Sequence, residues 1–228
     1  MPAADPPRPR PPAAARIALA LLVCAIEAAI LAWALGGLSR LLSHARALAL
    51  VACWAISGVA LAWSAPGRGR AVVARTPEAR WGLLALGLVP LAVAPLAAYG
   101  ERIDLWPLPG GAALRWAGVA IAALGLGVRV MAMRALGARF SPTLTVLPEH
   151  RLETAGIYAR IRHPGYVGSV LAALGAALAF GSALGLAPVA LLLGLLLGRA
   201  RREEAMLAEH FGDSWREYRG RSGAFWPR

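Results

Sequence analysis

Residues 166–198 read YVGSVLAALGAALAFGSALGLAPVALLLGLLLG, a stretch without a single charge. It is too long for one comfortable crossing of a ~30 Å hydrocarbon core, and too short for two full crossings with a loop. Gly181-Ser182 and Ala187-Pro188 interrupt it. The stretch therefore predicts a tight helical hairpin, with its turn near 180–184 and both ends on one side of a membrane. Working outward, four more apolar runs precede it, at 16–38, 46–64, 81–99 and 113–135. Each is long enough to span as a helix. Ala32-Trp33-Ala34 resembles a signal-peptide cleavage site, but a chain with this many spans favours a retained first helix. The predicted fold is all-α, a polytopic integral membrane protein of about six transmembrane segments, the last two forming the hairpin.

Composition points the same way. Apolar residues make up 58% and charged residues 16%, with mean hydropathy +0.58. A soluble domain is nearer 45–50% apolar and about 25% charged, so a disordered chain, a disulfide-stapled domain and an ordinary cytosolic enzyme are excluded. Every one of the 24 basic residues is arginine, which with the abundant Ala, Gly and Pro points to a GC-rich, bacterial genome. The arginines flank apolar runs, so they read as the positive-inside pattern rather than a nucleic-acid surface. With the N-terminus inside, cytoplasmic segments hold 19 arginines and outside loops 4. That asymmetry predicts cytoplasmic N- and C-termini in a bacterial inner membrane. Residues 1–15, rich in Pro, Ala and Arg, read as a flexible cytoplasmic tail, and 16–135 as four transmembrane helices.

Most sites of known chemistry are missing. Gly125-x-Gly127 follows no strand and lacks a third glycine. The four histidines have no metal-ligand spacing, so no metal is expected. Cys24 and Cys53 lie in apolar runs and form no framework. Glu27 sits within the first span, where an ionisable group is a functional hypothesis by default; helix packing by a protonated or paired glutamate is the plainer reading. Arg129 lies near the inner end of its span and can snorkel.

The segment before the hairpin is denser. Pro164 forces His163 out of the α region and suits the first helical position, so a helix start is predicted at Pro164. Its free N–H groups would favour an anion, with Arg162 and His163 beside them. Tyr166 follows in the first turn, and Gly168 allows a close approach of a ligand or a second backbone. The hairpin returns at Arg199-Ala200-Arg201-Arg202-Glu203-Glu204. Adjacent glutamates point about 100° apart, so one is expected to face a site. Glu204 shares a stripe with Leu207 and Phe211, whereas Glu203 can pair with Arg199 at i,i+4 on an exposed face. Gly212 ends this helix, Ser214-x-x-Glu217 reads as a capping box, and Trp215, Tyr218, Phe225 and Trp226 as an aromatic face for the membrane interface.

Arg-His-Pro-x-Tyr-x-Gly at 162–168, the apolar hairpin, Glu203-Glu204 and Leu207…Phe211-Gly212…Tyr218 together resemble the isoprenylcysteine carboxyl methyltransferase family, a relative of the phospholipid methyltransferases. Phe140-Ser141, His150-Arg151-Leu152 and Gly156-x-Tyr158 fit its usual lead-in. The resemblance covers about 136–220 and marks 136–228 as a methyltransferase-like catalytic region. It implies an S-adenosylmethionine-dependent membrane enzyme without a Rossmann fold. The implied cofactor-binding residues are Arg162, His163, Pro164, Tyr166, Gly168, Glu203 and Glu204. Beyond the resemblance, Glu204 and Arg202 are read as the catalytic residues, with Arg202 or Arg199 orienting a substrate carboxylate. The implied acceptor is a membrane-embedded, lipid-linked carboxylate entering from the bilayer. Ile157, Gly165 and Trp215 depart from the family's usual residues and leave that acceptor open. A lipid N-methyltransferase is the alternative enzyme; a membrane reductase and a non-catalytic membrane protein or transporter are the others.

Overall fold

The computed structural model describes residues 11–64, 74–75, 80–137, 145–146 and 152–228. Most of the predicted tail, most of the 65–80 connection, Phe140-Ser141 and His150-Arg151 lie outside the described residues. The elements run α1 (Ala13–Leu35), α2 (Leu38–Ser43), α3 (Ala45–Ser64), β1 (Ala74–Arg75), α4 (Arg80–Arg102), α5 (Gly111–Leu136), β2 (Thr145–Val146), α6 (Pro164–Phe180), α7 (Leu186–Phe211) and α8 (Asp213–Arg221). Short 3₁₀ turns at Gly156–Ala159 and Ala183–Gly185 complete them. The fold is all-α, and β1 and β2 are one two-residue antiparallel pair. Helices α1, α3, α4, α5 and α7 are long and apolar enough to cross a membrane, and α6 is a shorter apolar helix.

The surface supports that reading. Leu19, Leu22 and Ile26 on α1, Ile56 and Trp63 on α3, and Leu88 on α4 all face outward. Apolar surface on this scale suits lipid, not water. Inside, Leu31, Leu50, Val93, Ala97, Ala122, Ala177, Phe180 and Leu192 form one core. Many of its members are alanines, so the backbones approach closely, as packing between membrane helices requires.

The closest approach is between α5 and α6. A Cβ built on Gly125 would lie 2.3 Å from the Ala172 nitrogen, and one on Gly175 would lie 2.3 Å from the Ala122 nitrogen. Gly118 and Gly168 are equally tight against the facing backbone. The seven-residue spacing in both helices keeps these glycines on one antiparallel seam. Gly125, useless as a nucleotide fingerprint, is thus a packing residue.

The hairpin turn falls where the apolar run predicts it. Gly181, at φ 63°, ends α6, and Ser182 opens the 3₁₀ turn. Pro188 does not interrupt anything. It sits in the first turn of α7, where its missing N–H has no intrahelical partner to lose. The turn docks on residues 105–108: Leu108 N–H donates to the Gly181 carbonyl at 2.7 Å, and Ser182 Oγ donates to the Leu105 carbonyl at 2.7 Å. Arg46 donates to the Ala179 carbonyl and, at 3.0 Å, to Glu101, which His44 and Arg115 also approach within 3.4 Å. One carboxylate, two guanidinium groups and an imidazole therefore clasp this end of the hairpin.

Two expectations for the C-terminal region are corrected. The N-cap of α8 is Gly212, and no side chain caps it, so Ser214 and Glu217 form no capping box; Glu217 pairs instead with Arg221. Trp215 and Tyr218 are 2% and 4% exposed, and belong to a small buried core rather than to an interfacial face. Among the four aromatics, Trp226 alone is strongly exposed.

Candidate functional site

A polar cluster forms where the start of α6 meets the second half of α7. His163 precedes Pro164 with φ −121° and ψ 54°, outside the α region as a residue before proline must be. The helix starts at Pro164 as expected. The His163 ring is almost fully buried, stacked on Tyr166 at 5.2 Å and flanked by Phe225 at 5.5 Å. Its Nε2 lies 3.1 Å from Glu204 Oε1, and its Nδ1 lies 3.8 Å from Glu203 Oε2. These contacts bring the two ends of the hairpin together.

Both glutamates therefore reach the site, contrary to the expectation that one would point away. α7 is helical through both positions, so nothing is unwound. The 100° offset places the carboxylates on either side of one imidazole standing between them. The exposed Arg199–Glu203 pair is likewise corrected. Arg199 is 7% exposed and its Nε donates to Tyr166 Oη at 2.8 Å, while that hydroxyl donates to Glu203 Oε2 at 2.6 Å. Tyr166 thus links Arg199 to Glu203.

Arg162 is committed from two directions. Its Nε donates to Glu204 Oε1 at 2.9 Å, and its Nη1 donates to the carbonyls of Ser222 and Arg219. The Trp215 ring centroid is 5.8 Å from its guanidinium carbon. The anion expected beside Arg162 and His163 is thus supplied by the protein itself, as Glu204. Two carboxylates also sit at the start of α6, where the helix dipole favours negative charge. One oxygen of each remains available: Glu203 Oε1 and Glu204 Oε2 have no hydrogen-bond partner among the described residues. Their side chains are 32% and 21% exposed, so incoming donors can reach them.

The C-terminal strap that holds this arrangement was not foreseen. Arg162 and His163 donate their backbone N–H groups to the carbonyls of Gly223 and Ala224 at 2.8 and 3.0 Å. Gly223 N–H returns a bond to Arg160. Tyr218 Oη donates to the Tyr158 carbonyl at 2.7 Å, and Ser222 Oγ to the Tyr218 carbonyl at 2.6 Å. Burial pushes the Tyr218 hydroxyl up to about 12, so it is a neutral donor at pH 7. The available signal was the bunching of Trp215, Tyr218 and Phe225 in a charged tail, which fits a core as well as an interface.

The remaining candidates separate. Gly168 faces the backbone of Gly125 and Arg129, so its missing side chain serves helix packing rather than a ligand. Arg202 lies on the exposed face of α7, and makes no hydrogen bond or ion pair with the cluster. Arg129, expected to snorkel, instead donates from Nη1 to Ser169 Oγ on α6, one turn from Tyr166. Tyr166→Phe removes two hydrogen bonds to charged groups, and should destabilise the protein by about 1–3 kcal/mol. Thermal unfolding of the purified protein in detergent measures this, and an unchanged midpoint would contradict the relay.

Residues 118–209 match the Isoprenylcysteine carboxyl methyltransferase (ICMT) family, the family that the motif set resembles. A curated relative, "Protein-S-isoprenylcysteine O-methyltransferase" of Schizosaccharomyces pombe, is 38% identical over 99 residues. That match covers 42% of this chain and 42% of the relative, so the chain spans under half the length of the curated protein it matches. A solved structure of the eukaryotic intramembrane Ras methyltransferase ICMT aligns with TM-score 0.49 and 19% identity, covering 94% of this chain and 75% of that one.

Proposed function

We propose, from the match of residues 118–209 to the isoprenylcysteine carboxyl methyltransferase family, that this protein transfers a methyl group from S-adenosylmethionine to a lipid-linked carboxylate in the membrane. The observation that carries the reading is the pair of available carboxylate oxygens, Glu203 Oε1 and Glu204 Oε2, bracketing buried His163. They fit a ligand that offers ribose hydroxyls, an ammonium group and a sulfonium charge. When bound, S-adenosylmethionine supplies an electrophilic methyl on that sulfonium. Glu203 and Glu204 accept from its donors, and the fixed negative charge favours the cation. Arg162, His163 and Tyr166 aim the two carboxylates, and the strap at 222–225 holds Arg162. An acceptor carboxylate is already ionised at pH 7, so orientation and exclusion of water supply most of the rate. The exposure of Arg202 makes buried Arg199 the better placed of the two arginines beside the pair.

A thermal shift tests the assignment. S-adenosylhomocysteine should raise the unfolding midpoint of the purified protein and NADPH should not; the reverse would assign a reductase. The same site is assigned to the cytoplasmic face of a bacterial inner membrane, supported by the 19-to-4 arginine asymmetry and the arginine-only basic composition. In a background lacking Cys24 and Cys53, Ser214→Cys should be labelled from inside and Ser39→Cys from outside. Both positions are exposed. Labelling of residue 214 from outside would overturn the orientation.

A further inference from the structure

A cavity of about 440 Å³ lies among α1, α3 and α5. Its lining is apolar, apart mainly from Arg16, Glu27, Ser57 and Arg129. It runs from Arg16 to Glu27, eleven residues along α1 and so about 16 Å. That elongated shape suits a lipid chain.

Two polar groups on this wall, Arg16 Nε and the Glu27 carboxyl, lack partners among the described residues. Arg16 Nε is buried with no hydrogen bond, and Glu27 makes no hydrogen bond or ion pair with a described residue. An unpaired carboxyl in the middle of a span is costly, and such groups persist where they face a cavity or a ligand. Of the plainer roles, the paired glutamate finds no partner among the described residues, which leaves a carboxyl that faces the cavity. The cavity is linked to the motif helix through Arg129. Arg129 lines it, and the same side chain crosses to Ser169 on α6, with its backbone against Gly168. One residue is thus common to the lipid-facing chamber and to the motif helix.

We propose that this chamber holds the apolar part of the methyl acceptor, and that Glu27 selects acceptors carrying an N–H donor on that chain. The identification of the occupant as the acceptor rests on the function proposed above. Glu27 can accept hydrogen bonds and shares the chamber lining with Trp54 and Ser57. A plain hydrocarbon would leave the carboxyl unsatisfied, whereas an amide or amine N–H satisfies it. The chamber therefore discriminates among lipids of equal length by one polar group, as sites built around a buried hydrogen bond do.

The test is a quenching titration of the full-length protein in phosphatidylcholine nanodiscs. The probes are 9,10-dibromostearamide, which carries an N–H donor, and methyl 9,10-dibromostearate, which does not. Over the background quenching of lipid-facing tryptophans such as Trp63, wild type should show a saturable component that disappears in Trp54→Phe. The amide should act at up to about tenfold lower mole fraction than the ester, the scale of one buried hydrogen bond. Glu27→Leu removes a lone buried carboxyl and should fold at least as well; it should quench equally with both probes. Equal quenching by the two probes in wild type, or a preference that survives in Glu27→Leu, would overturn the proposal, as would the absence of Trp54-dependent quenching. No cofactor is present and no methyl transfer is read, so these outcomes are independent of the thermal-shift test of the enzymatic reading.

Discussion

Glu204→Ala should lower the affinity of the purified protein for S-adenosylhomocysteine by roughly ten- to a hundredfold. A hydrogen bond to a charged group is worth about 1.5–3 kcal/mol, which converts to that range. The substitution removes the free Oε2 and also the oxygen that orients Arg162 and His163. Arg162 keeps its bonds to Ser222 and Arg219, so the strap should stay in place. Glu203→Ala should cause a loss of similar size. An exposed Glu203 paired with Arg199 would have made its loss almost silent, within about 0.5 kcal/mol. The inward Glu203, bonded to Tyr166 and near His163, predicts otherwise. Titration calorimetry on the two single variants decides it. Wild-type affinity in both would reduce the pair to structural ion-pair partners.

Gly125→Ala should destabilise the protein by at least about 2 kcal/mol, within the range for overpacked cores. The added carbon would meet the Ala172 nitrogen at 2.3 Å and the Gly168 carbonyl at 2.6 Å. Both are backbone atoms, so α5 and α6 must separate, moving the motif at 163–166 as well. Gly127→Ala is the matched control, because nothing lies within 4 Å of a Cβ there. In a helix interior that change should be stabilising by about 0.5–1 kcal/mol. Unfolding of the two variants in mixed detergent should therefore shift in opposite directions, and a shared direction would refute the close seam.

The local chemistry of the chain made much of this readable. Pro164 dictates a helix start because its ring fixes φ and excludes the α region before it, whatever packs nearby. The uncharged run at 166–198 predicts a hairpin because it is too long for one comfortable crossing and Gly181-Ser182 breaks it near its middle. Glu203 shows where such reasoning stops. Helical periodicity separates neighbours by 100°, yet it says nothing about the width of the object they face. An imidazole inserted between the two carboxylates bonds Glu204 and lies 3.8 Å from Glu203, and only the packing of α6 against α4, α5 and α7 puts it there.

The C-terminal strap shows the same boundary. The bonds of residues 222–224 to 160–163 join positions about sixty apart, and they use backbone groups that every sequence carries. The aromatic residues Trp215 and Tyr218 have an apolar body and a polar tip, which suits a lipid interface and a buried core alike. The sequence by itself determined an all-helical membrane protein, a hairpin with its turn near 180–184, and the residue types gathered at its open end, because these follow from local backbone chemistry and the cost of polar groups in lipid. Only the tertiary structure decided that both glutamates flank His163, that Arg162 and Gly168 serve positioning and packing, and that Glu27 faces an open chamber. Those outcomes depend on the relative depth and rotation of helices far apart in the chain, which short-range periodicity does not encode.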